Sequence, residues 1–600
     1  MLRTHTCGEL RLTERGKTVV LSGWVHRRRD HGGIIFIDLR DRYGLTQIVF
    51  DPNVSKESWK TANTVRPEFV LMAKGEVRKR LEGQDNKNMD TGEVEVYIDE
   101  VKILNDSKTP PFEIDQDKAV NEELRLKYRY LDLRHERLRN NLVLRHKMIK
   151  AIRDFMDKQG FLEIETPILI KGTPEGSREY LVPSRFYPGK FFVLPQSPQQ
   201  LKQLLMIAGM DKYFQIARCF RDEDQRGDRQ PEFTQLDIEM SFAEEKDVMA
   251  VNEQLLIELT KKFAPKKKIL KKPFPVITWH EAMSRFGSDK PDIRFKMEIV
   301  DISDIVAHCD FKVFSGTVEN GGVVKALKVE GVADWPRSEL DKLEELAKVY
   351  GAKGLAYFVY REDGIKSPII KFLSEDVINK ISEALCAKIG DIVFFAADKF
   401  TTACEVLGQI RLECGKKLNL MDPNVFAYLW VNEFPMFEFS STGGSASGGE
   451  KETGQLAAMH HPFTRPLNED MDLLDTEPEK ARAVAYDIVL NGSEIGGGSM
   501  RIHEQKLQQK IFDILRISPA DAERRFGHML EAFSYGAPPH GGIAWGLDRL
   551  IMLFADEPNI REVIAFPKDQ KAKDLTLGAP SEIAEKDIKE ANIQIINIKK

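Results

Sequence analysis

The segment CFRDEDQRGDRQPEFTQLDIE, Cys219 to Glu239, sets arginines and carboxylates side by side in one short stretch. Ahead of it Phe214, Ile216, Arg218 and Phe220 recur at every second residue, which leaves Arg221 on the other side. Behind it Gln235, Asp237 and Glu239 alternate with Leu236, Ile238 and Met240. A period of two is that of a strand, so the segment predicts a hairpin with a charged loop and one polar face. Taken alone, the loop is an ordinary solvated turn whose charges neutralise one another. The other reading is a clamp, with arginines for a polyanion and carboxylates for its counter-ion.

Working outward, GFLEIETPIL alternates as a strand, and VLPQSPQQLKQLLMIAG passes from strand to helix at Ser197. Antiparallel strands interspersed with helices predict an α+β domain. Helical periodicity runs from Glu122 to about Gln159, after a polar, proline-bearing connector. Between Val19 and Leu104 five short alternations (VVLSGWVH, GIIFIDLRD, TQIVFD, EFVLMAKGEVRKR, GEVEVYIDEVKIL) precede any long helix, which predicts a small closed barrel of OB type. From Pro291 to Leu420 the texture changes to short strands such as ALKVEGV and GLAYFVY with the amphipathic SELDKLEELAKVYGA, read as an inserted α+β domain. The Gly/Ser-rich run from Ser440 to Gln455 predicts a mobile loop beside AAMHHPF. The expected division is a barrel at 1–106, a hinge at 107–140, one α+β domain in two parts (141–290 and 421–585), the insert at 291–420, and a tail at 586–600.

A chain of 600 residues is too long for one core. With 88 Lys plus Arg against 94 Asp plus Glu, its net charge of -6 excludes a histone-like coat and confines any nucleic-acid contact to local basic patches. The 6 cysteines form no CxxC pair and no Cys/His cluster at zinc spacing, so zinc is not expected and a reducing compartment is. The N-terminus has no apolar signal core and no run has the length of a bilayer, so the expected location is the cytoplasm, with no membrane association.

Two further segments turn the charged loop towards the clamp. HGGIAWGLDRL, His540 to Leu550, is a glycine-rich approach to a helix carrying Arg549, suited to phosphate. AYDIVLNGSEIGGGSMRIH sets Asp487 and Glu494 on a hairpin, then three glycines that admit a ligand to the backbone, then Arg501. The two acids suit magnesium, and Phe233 offers a stacking face for a base. In the barrel segment, WVHRRRDHGGIIFIDLRD joins Arg27, Arg28 and Arg29 to Phe36, a pairing of phosphate-binding charge with a stacking platform, and Gln47 is placed to read a base edge. Singly, each has a plain reading: Phe36 as core, Lys202 as a solvated helix residue, Asp487 and Glu494 as turn residues, His460 and His461 as loop residues.

GFLEIETPIL, FRDED followed by RQPEFTQLD, and GLDRL resemble the three signature motifs of class II aminoacyl-tRNA synthetases. TPEGSREYLVPS, LPQSPQQLKQLL, GAKGLAYF, AMHHPF and NGSEIGGGSMRIH extend the resemblance over nearly the whole chain, to the bacterial aspartyl-tRNA synthetases. The resemblance implies an anticodon-binding OB-fold β-barrel, a catalytic antiparallel sheet with flanking helices, an inserted domain of the GAD type, and a homodimer built around Pro167. It implies ATP-dependent, magnesium-dependent activation of L-aspartate to the adenylate, releasing pyrophosphate, then transfer to the 3′ end of tRNA(Asp).

Carried onto these residues, Arg221 holds the α-phosphate and Arg549 the γ-phosphate. Asp222, Glu223, Gln230, Phe233, Gly546, Leu547 and Asp548 complete the ATP site, with Phe233 and Arg549 sandwiching adenine, and Asp487 and Glu494 hold Mg2+. Aspartate falls to Glu175, Ser197, Gln199, Lys202, Arg221, Asp237 and Arg501, with His460 gating the pocket. Arg29, Phe36 and Gln47 meet the anticodon. His31 and Gly83 resemble members that also charge tRNA(Asn), whose product a separate amidotransferase converts. The alternatives are a strictly tRNA(Asp)-specific enzyme, an asparagine-handling enzyme of the same superfamily, and a catalytically inactive RNA-binding paralogue.

Overall fold

The computed structural model describes residues 1–114, 120–172, 177–223, 225, 227–439 and 455–596. Glu175 and nearly all of the Gly/Ser-rich run, 440–454, lie outside the described residues. The chain forms two compact units, one of Met1–Asn140 with Leu575–Leu577 and one of Asn141–Asp574 with Gly578–Lys600.

The first unit is built on a closed five-stranded barrel of β1 (Thr18–His31), β2 (Ile34–Arg40), β3 (Leu45–Phe50), β4 (Val70–Lys79) and β5 (Val94–Asn105), in the order β1-β2-β3-β5-β4. Alternate residues fill it: Val19, Leu21, Val25, Ile35, Ile37 and Leu39 are fully buried while their neighbours face outward. The five strands coincide with the five alternations in the sequence. Gly75 sits at a bulge where a Cβ would lie 2.0 Å from the Tyr97 carbonyl oxygen, so only glycine lets β4 and β5 approach there. The helical stretch expected from Glu122 breaks into Glu122–Lys127, Arg129–Asp132 and Glu136–Lys158. Asp132 accepts from Arg125 at 3.0 Å and Arg129 at 2.6 Å, so buried ion pairing rather than apolar period sets the winding at the breaks.

The second unit centres on an eight-stranded sheet. In chain order its strands are β6 (Leu162–Glu163), β7 (Lys212–Phe220), β8 (Glu232–Ser241), β9 (Val276–Thr278), β10 (Tyr428–Asn432), β11 (Ala485–Leu490), β12 (Ser493–Met500) and β13 (His540–Gly546); across the sheet they run β9-β10-β11-β12-β13-β8-β7-β6. The expected antiparallel order holds in the middle, while the outermost pairs, β9 with β10 and β6 with β7, are parallel. Long connections that include helices make those two crossovers possible. HGGIAWG, read as a glycine-rich approach, is instead the central strand β13. A Cβ on Gly542 would fall 2.2 Å from the Glu239 carboxylate and 2.0 Å from the Ile238 carbonyl oxygen, so glycine makes room for a buried acid on the neighbouring strand.

One face of the sheet packs its apolar residues with Val248, Leu255, Leu256 and Leu259 of the helix Glu245–Phe263, whose three- and four-residue spacing makes one buried stripe. The helix Gln199–Ile207 contacts β7 and β8 and buries Gln199, Gln200, Lys202 and Gln203. A helix that buries polar side chains marks where the sheet serves chemistry rather than core. Within residues 291–420 a separate five-stranded antiparallel sheet runs Ile299–Asp301, Val323–Val329, Ile392–Asp398, Ala356–Arg361, Gly364–Lys366 across its width, with the helix Phe400–Lys417 packed on it.

Candidate active site

The hairpin β7–β8 delivers its charged loop to a cavity of about 530 Å³. Arg221, Glu223, Gln230, Phe233, Ser197, Gln199, His460, Asp487, Glu494, Gly546, Asp548 and Arg549 all line it, so segments more than 300 residues apart in sequence share one chamber. The Arg221 backbone N–H closes the loop by donating to Pro231 O at 2.9 Å, and its guanidinium lies 5.2 Å over the Phe233 ring. Its buried Nε has no partner among the described residues, which leaves a donor for an anion. Glu223 accepts from Arg229 at 2.9 Å and from Ser177. Arg549, in the first turn of the helix Leu547–Phe554, reaches Asp228 at 3.0 Å and the Glu494 carbonyl oxygen.

Four of the residues expected at the ATP site also make structural contacts. Gln230 binds the Lys568 backbone through its side-chain amide, accepting from N at 2.7 Å and donating to O at 3.1 Å, and so braces the wall of the cavity that it lines. Asp548 accepts from the Thr234 backbone N–H at 2.8 Å and from Arg145, a tie between β8 and the helix. Leu547 is fully buried in the sheet core because the helix starts with its side chain turned inward. Asp222 is exposed and tied through its backbone to Arg178.

Asp487 and Glu494 stand on either side of the β11–β12 turn, where Asn491 (φ 52) and Gly492 (φ 81) adopt the left-handed conformation a two-residue hairpin requires. A Cβ on Gly497 would meet Asp487 Oδ1 at 2.6 Å and Glu494 Oε1 at 3.9 Å, so the glycine lets both acids crowd the same strand surface. Burial, with Glu494 and Asp289 beside it, raises Asp487 well above the usual carboxylate range. Two crowded carboxylates with a deficit of positive charge fit a hard divalent ion that takes its remaining ligands from phosphate and water. No group of three or more potential metal ligands occurs among the described residues.

Behind the cavity wall lies a buried charge network. Lys202 Nζ donates to Asp237 Oδ1 at 2.7 Å and lies 3.2 Å from Glu239 Oε2; Arg501 holds Glu239 through Nε at 3.0 Å and Nη2 at 3.2 Å. All four side chains are 3% exposed or less. The Gln199–Ile207 helix covers the polar face of β8, so Lys202, Asp237 and Arg501 are buried, Lys202 paired with Asp237 and Arg501 with Glu239. Asp237 Oδ2 remains without a partner among the described residues. Burial raises the Asp237 carboxyl, which Lys202 offsets only in part. Burial also pushes Glu239 up, but Arg501 and Lys202 outweigh it and bring it to about 2.

Sequence reasoning missed Glu239 and His461. His461 Nε2 accepts from Arg501 Nη1 at 2.7 Å and lines the cavity together with His460, so both adjacent histidines face it. His460 sits edge-on to Phe434 at 5.0 Å, its Nδ1 without a partner among the described residues; burial and Arg501 lower it to about 4, keeping it neutral. The signal for Glu239 was present in the alternation that put it on one face with Asp237.

In the first unit, Phe36 is half-buried between the fully buried Ile35 and Ile37 and so faces outward. Arg29, its partner in register, donates to Asp38 at 2.7 Å and Gln47 at 3.3 Å, and Gln47 donates to Glu95 at 2.7 Å. His31 is edge-on to Phe36 at 6.1 Å, and Gly83 stands in open space at φ 80 on the β4–β5 loop. A half-buried ring that faces outward beside Arg29 and Gln47 offers one face for stacking.

A family model described as tRNA synthetases class II (D, K and N) matches residues 121–570, three quarters of the chain. The chain belongs to the class II tRNA synthetases. A second model, an OB-fold nucleic acid binding domain, matches residues 19–104 of this synthetase chain, the barrel. It is 53% identical over 593 residues to an Aspartate--tRNA(Asp/Asn) ligase of Caldanaerobacter subterraneus subsp. tengcongensis, covering 99% of this chain and 98% of that one. It is 51% identical over 599 residues to a protein of the same name from Geobacillus sp., covering 100% and 99%. Among solved synthetases, its fold matches an asparaginyl-tRNA synthetase from Pyrococcus horikoshii complexed with asparaginyl-adenylate (TM-score 0.58, 19% identity, 94% of this chain and 98% of that one). It also matches an aspartyl tRNA synthetase from Entamoeba histolytica (TM-score 0.56, 20% identity, 94% and 90%).

Proposed function

We propose that this synthetase is an aspartate–tRNA ligase that activates L-aspartate with ATP and transfers it to tRNA(Asp) and tRNA(Asn). The observation that carries the amino-acid choice is the buried Lys202–Asp237–Glu239–Arg501 network against the cavity. Aspartate brings one ammonium and two carboxylates. Asp237 Oδ2, an acceptor with no partner of its own, suits the ammonium, and the cations Lys202 and Arg501 suit the side-chain carboxylate. A neutral asparagine amide would leave those cations less well satisfied.

The reaction needs no protein nucleophile. The α-carboxylate attacks the α-phosphorus in line and pyrophosphate departs; the ribose hydroxyl of tRNA then takes the acyl group. Arg221, with its free Nε beside Phe233, neutralises charge building on the α-phosphate, and Arg549 meets the γ-phosphate once it leaves Asp228. Phe233 and Arg549 flank the adenine. Asp487 and Glu494 would hold magnesium, which when bound would supply charge screening for the phosphate oxygens. Glu239 and His461 hold Arg501 in place, and neutral His460 guards the entrance. Ser197 and Gln199 close over the ammonium.

The remaining assignments belong to the same reading. The barrel takes the anticodon on Phe36, Arg29 and Gln47, and His31 and Gly83 permit tRNA(Asn). Residues 291–420 form an inserted domain between the catalytic halves 141–290 and 421–585. Leu162, Ile168 and Leu169, about half-exposed around Pro167, support a homodimer. No helix among the described residues is long and apolar enough to cross a membrane, in keeping with a cytoplasmic enzyme. An amidotransferase would consume the Asp-tRNA(Asn). Aminoacylation of purified transcripts tests the reading: aspartate is expected on both tRNAs, charging of tRNA(Asp) alone would establish the strict alternative, and charging of neither would overturn the assignment.

A further inference from the structure

Asp289 also lines the cavity, although the charged loop, the hairpin and the glycine strand do not contain it. It comes from GSDKPD, Gly287 to Asp292, immediately before the five-stranded insert. The helix Trp279–Phe286 ends on Gly287 at φ 69, and a Cβ there would lie 2.2 Å from the Cys404 carbonyl oxygen and 2.6 Å from Gly408 Cα. A Cβ on Gly408 would in turn lie 2.2 Å from the Gly287 oxygen, so two backbones touch with no side chain between them. At the other end of the segment Arg411 donates to the Asp292, Phe295 and Met297 carbonyl oxygens at 2.9, 3.0 and 2.8 Å. Gly408 and Arg411 both belong to the helix Phe400–Lys417 of the insert, which therefore grips the segment twice. Asp292 in turn abuts the β11–β12 turn, since a Cβ on Gly492 would lie 3.2 Å from its Cβ.

We propose that Asp289 and Lys290 are positioning residues of opposite sign for the metal–nucleotide end of the site, held there by a strut that the insert braces. The inference rests on the assignment of Asp487 and Glu494 to a divalent ion. Lys290 Nζ lies 3.3 Å from Asp289 Oδ1. Asp289 shares the cavity lining with Asp487 and Glu494. Asp289 adds negative charge at that end and Lys290 subtracts it. Together they set how strongly an incoming cation is drawn before the triphosphate arrives, and the insert has a rigid path to that setting.

The test is Mn2+ binding to the full-length protein, read by electron paramagnetic resonance without nucleotide, alongside the Mg2+ dependence of ATP/pyrophosphate exchange. D289N is expected to bind Mn2+ about tenfold more weakly and K290Q about tenfold more tightly, the order for one charge changed several ångströms from a divalent ion in a partly screened site. The double variant should return towards wild type, and the KM for aspartate should be unchanged in all three. G408A, which must displace Gly287, should reproduce the D289N loss while keeping its melting transition; if it fails to fold, the charge pair alone decides. Equal affinities, or shifts of the same sign in D289N and K290Q, would overturn the inference. Absence of Mn2+ binding by the wild type would instead remove the magnesium assignment on which it rests.

Discussion

Glu239 serves two cations at once from a site with no solvent, and that concentrates the risk in one carboxylate. E239Q leaves Lys202 and Arg501 with Asp237 as their single buried counter-charge, and breaking a buried ion pair by removing one partner costs about 3–5 kcal/mol. Urea unfolding should show a loss of that order together with a raised KM for aspartate; unchanged stability would mean the pairs are not formed in solution. His460 makes a prediction about pH. Its folded value, about 4, lies below the ordinary 6.5, so between these values the unfolded chain binds more protons than the folded one. Stability contributed by neutral His460 is therefore complete above pH 6.5, falls as the pH drops through the window, and levels off below 4. Melting temperatures of the wild type and H460Q should diverge in slope across that range, with the variant flatter; parallel curves would place His460 in water.

At the scale of elements, glycine has opposite meanings in different places. A Cβ on Gly498 in β12 would meet the Gly542 carbonyl oxygen at 2.2 Å, whereas one on Gly316 in the helix Lys312–Glu319 meets nothing within 4 Å. G498A should destabilise by about 1–3 kcal/mol through overpacking, while G316A should stabilise by about 0.5–1 kcal/mol through helix propensity. Thermal melts of the two variants read both signs, and a shift of the same sign would refute the packing account of the central sheet. The same contrast explains what was legible. The β7–β8 hairpin, the Asn491–Gly492 turn and the five barrel strands carry their periods in local residue order. The strand HGGIAWG does not, because its glycines answer to Glu239 and Met500 on neighbouring strands, contacts that periodicity cannot express. Asp289 was invisible for the same reason: its role depends on Gly287 meeting Gly408, more than 100 residues away. His461 was read as an ordinary loop residue, because its contact with Arg501 joins positions 40 residues apart.

For the whole molecule, activation and RNA recognition reside in separate compact units, so their defects should separate. F36A removes an outward ring and should weaken charging of tRNA by about 1–3 kcal/mol, the worth of one stacked base, while leaving aspartate-dependent ATP/pyrophosphate exchange unchanged; loss of both would mean that the ring supports the fold instead. The arginines and carboxylates of FRDED, GLDRL and the GGG hairpin could be gathered into one site from the sequence because motif and resemblance agreed, but the order of their pairing could not. Lys202, Asp237 and Arg501 were named as ligands, and in the structure Lys202 pairs with Asp237 while Arg501 pairs with Glu239. If this buried charge selects the substrate, exchange measured with L-aspartate against L-asparagine reads that selection. A kcat/KM at least about 10³-fold higher is expected for aspartate, since asparagine leaves buried cations poorly met; comparable values for the two amino acids would rule out selection by charge.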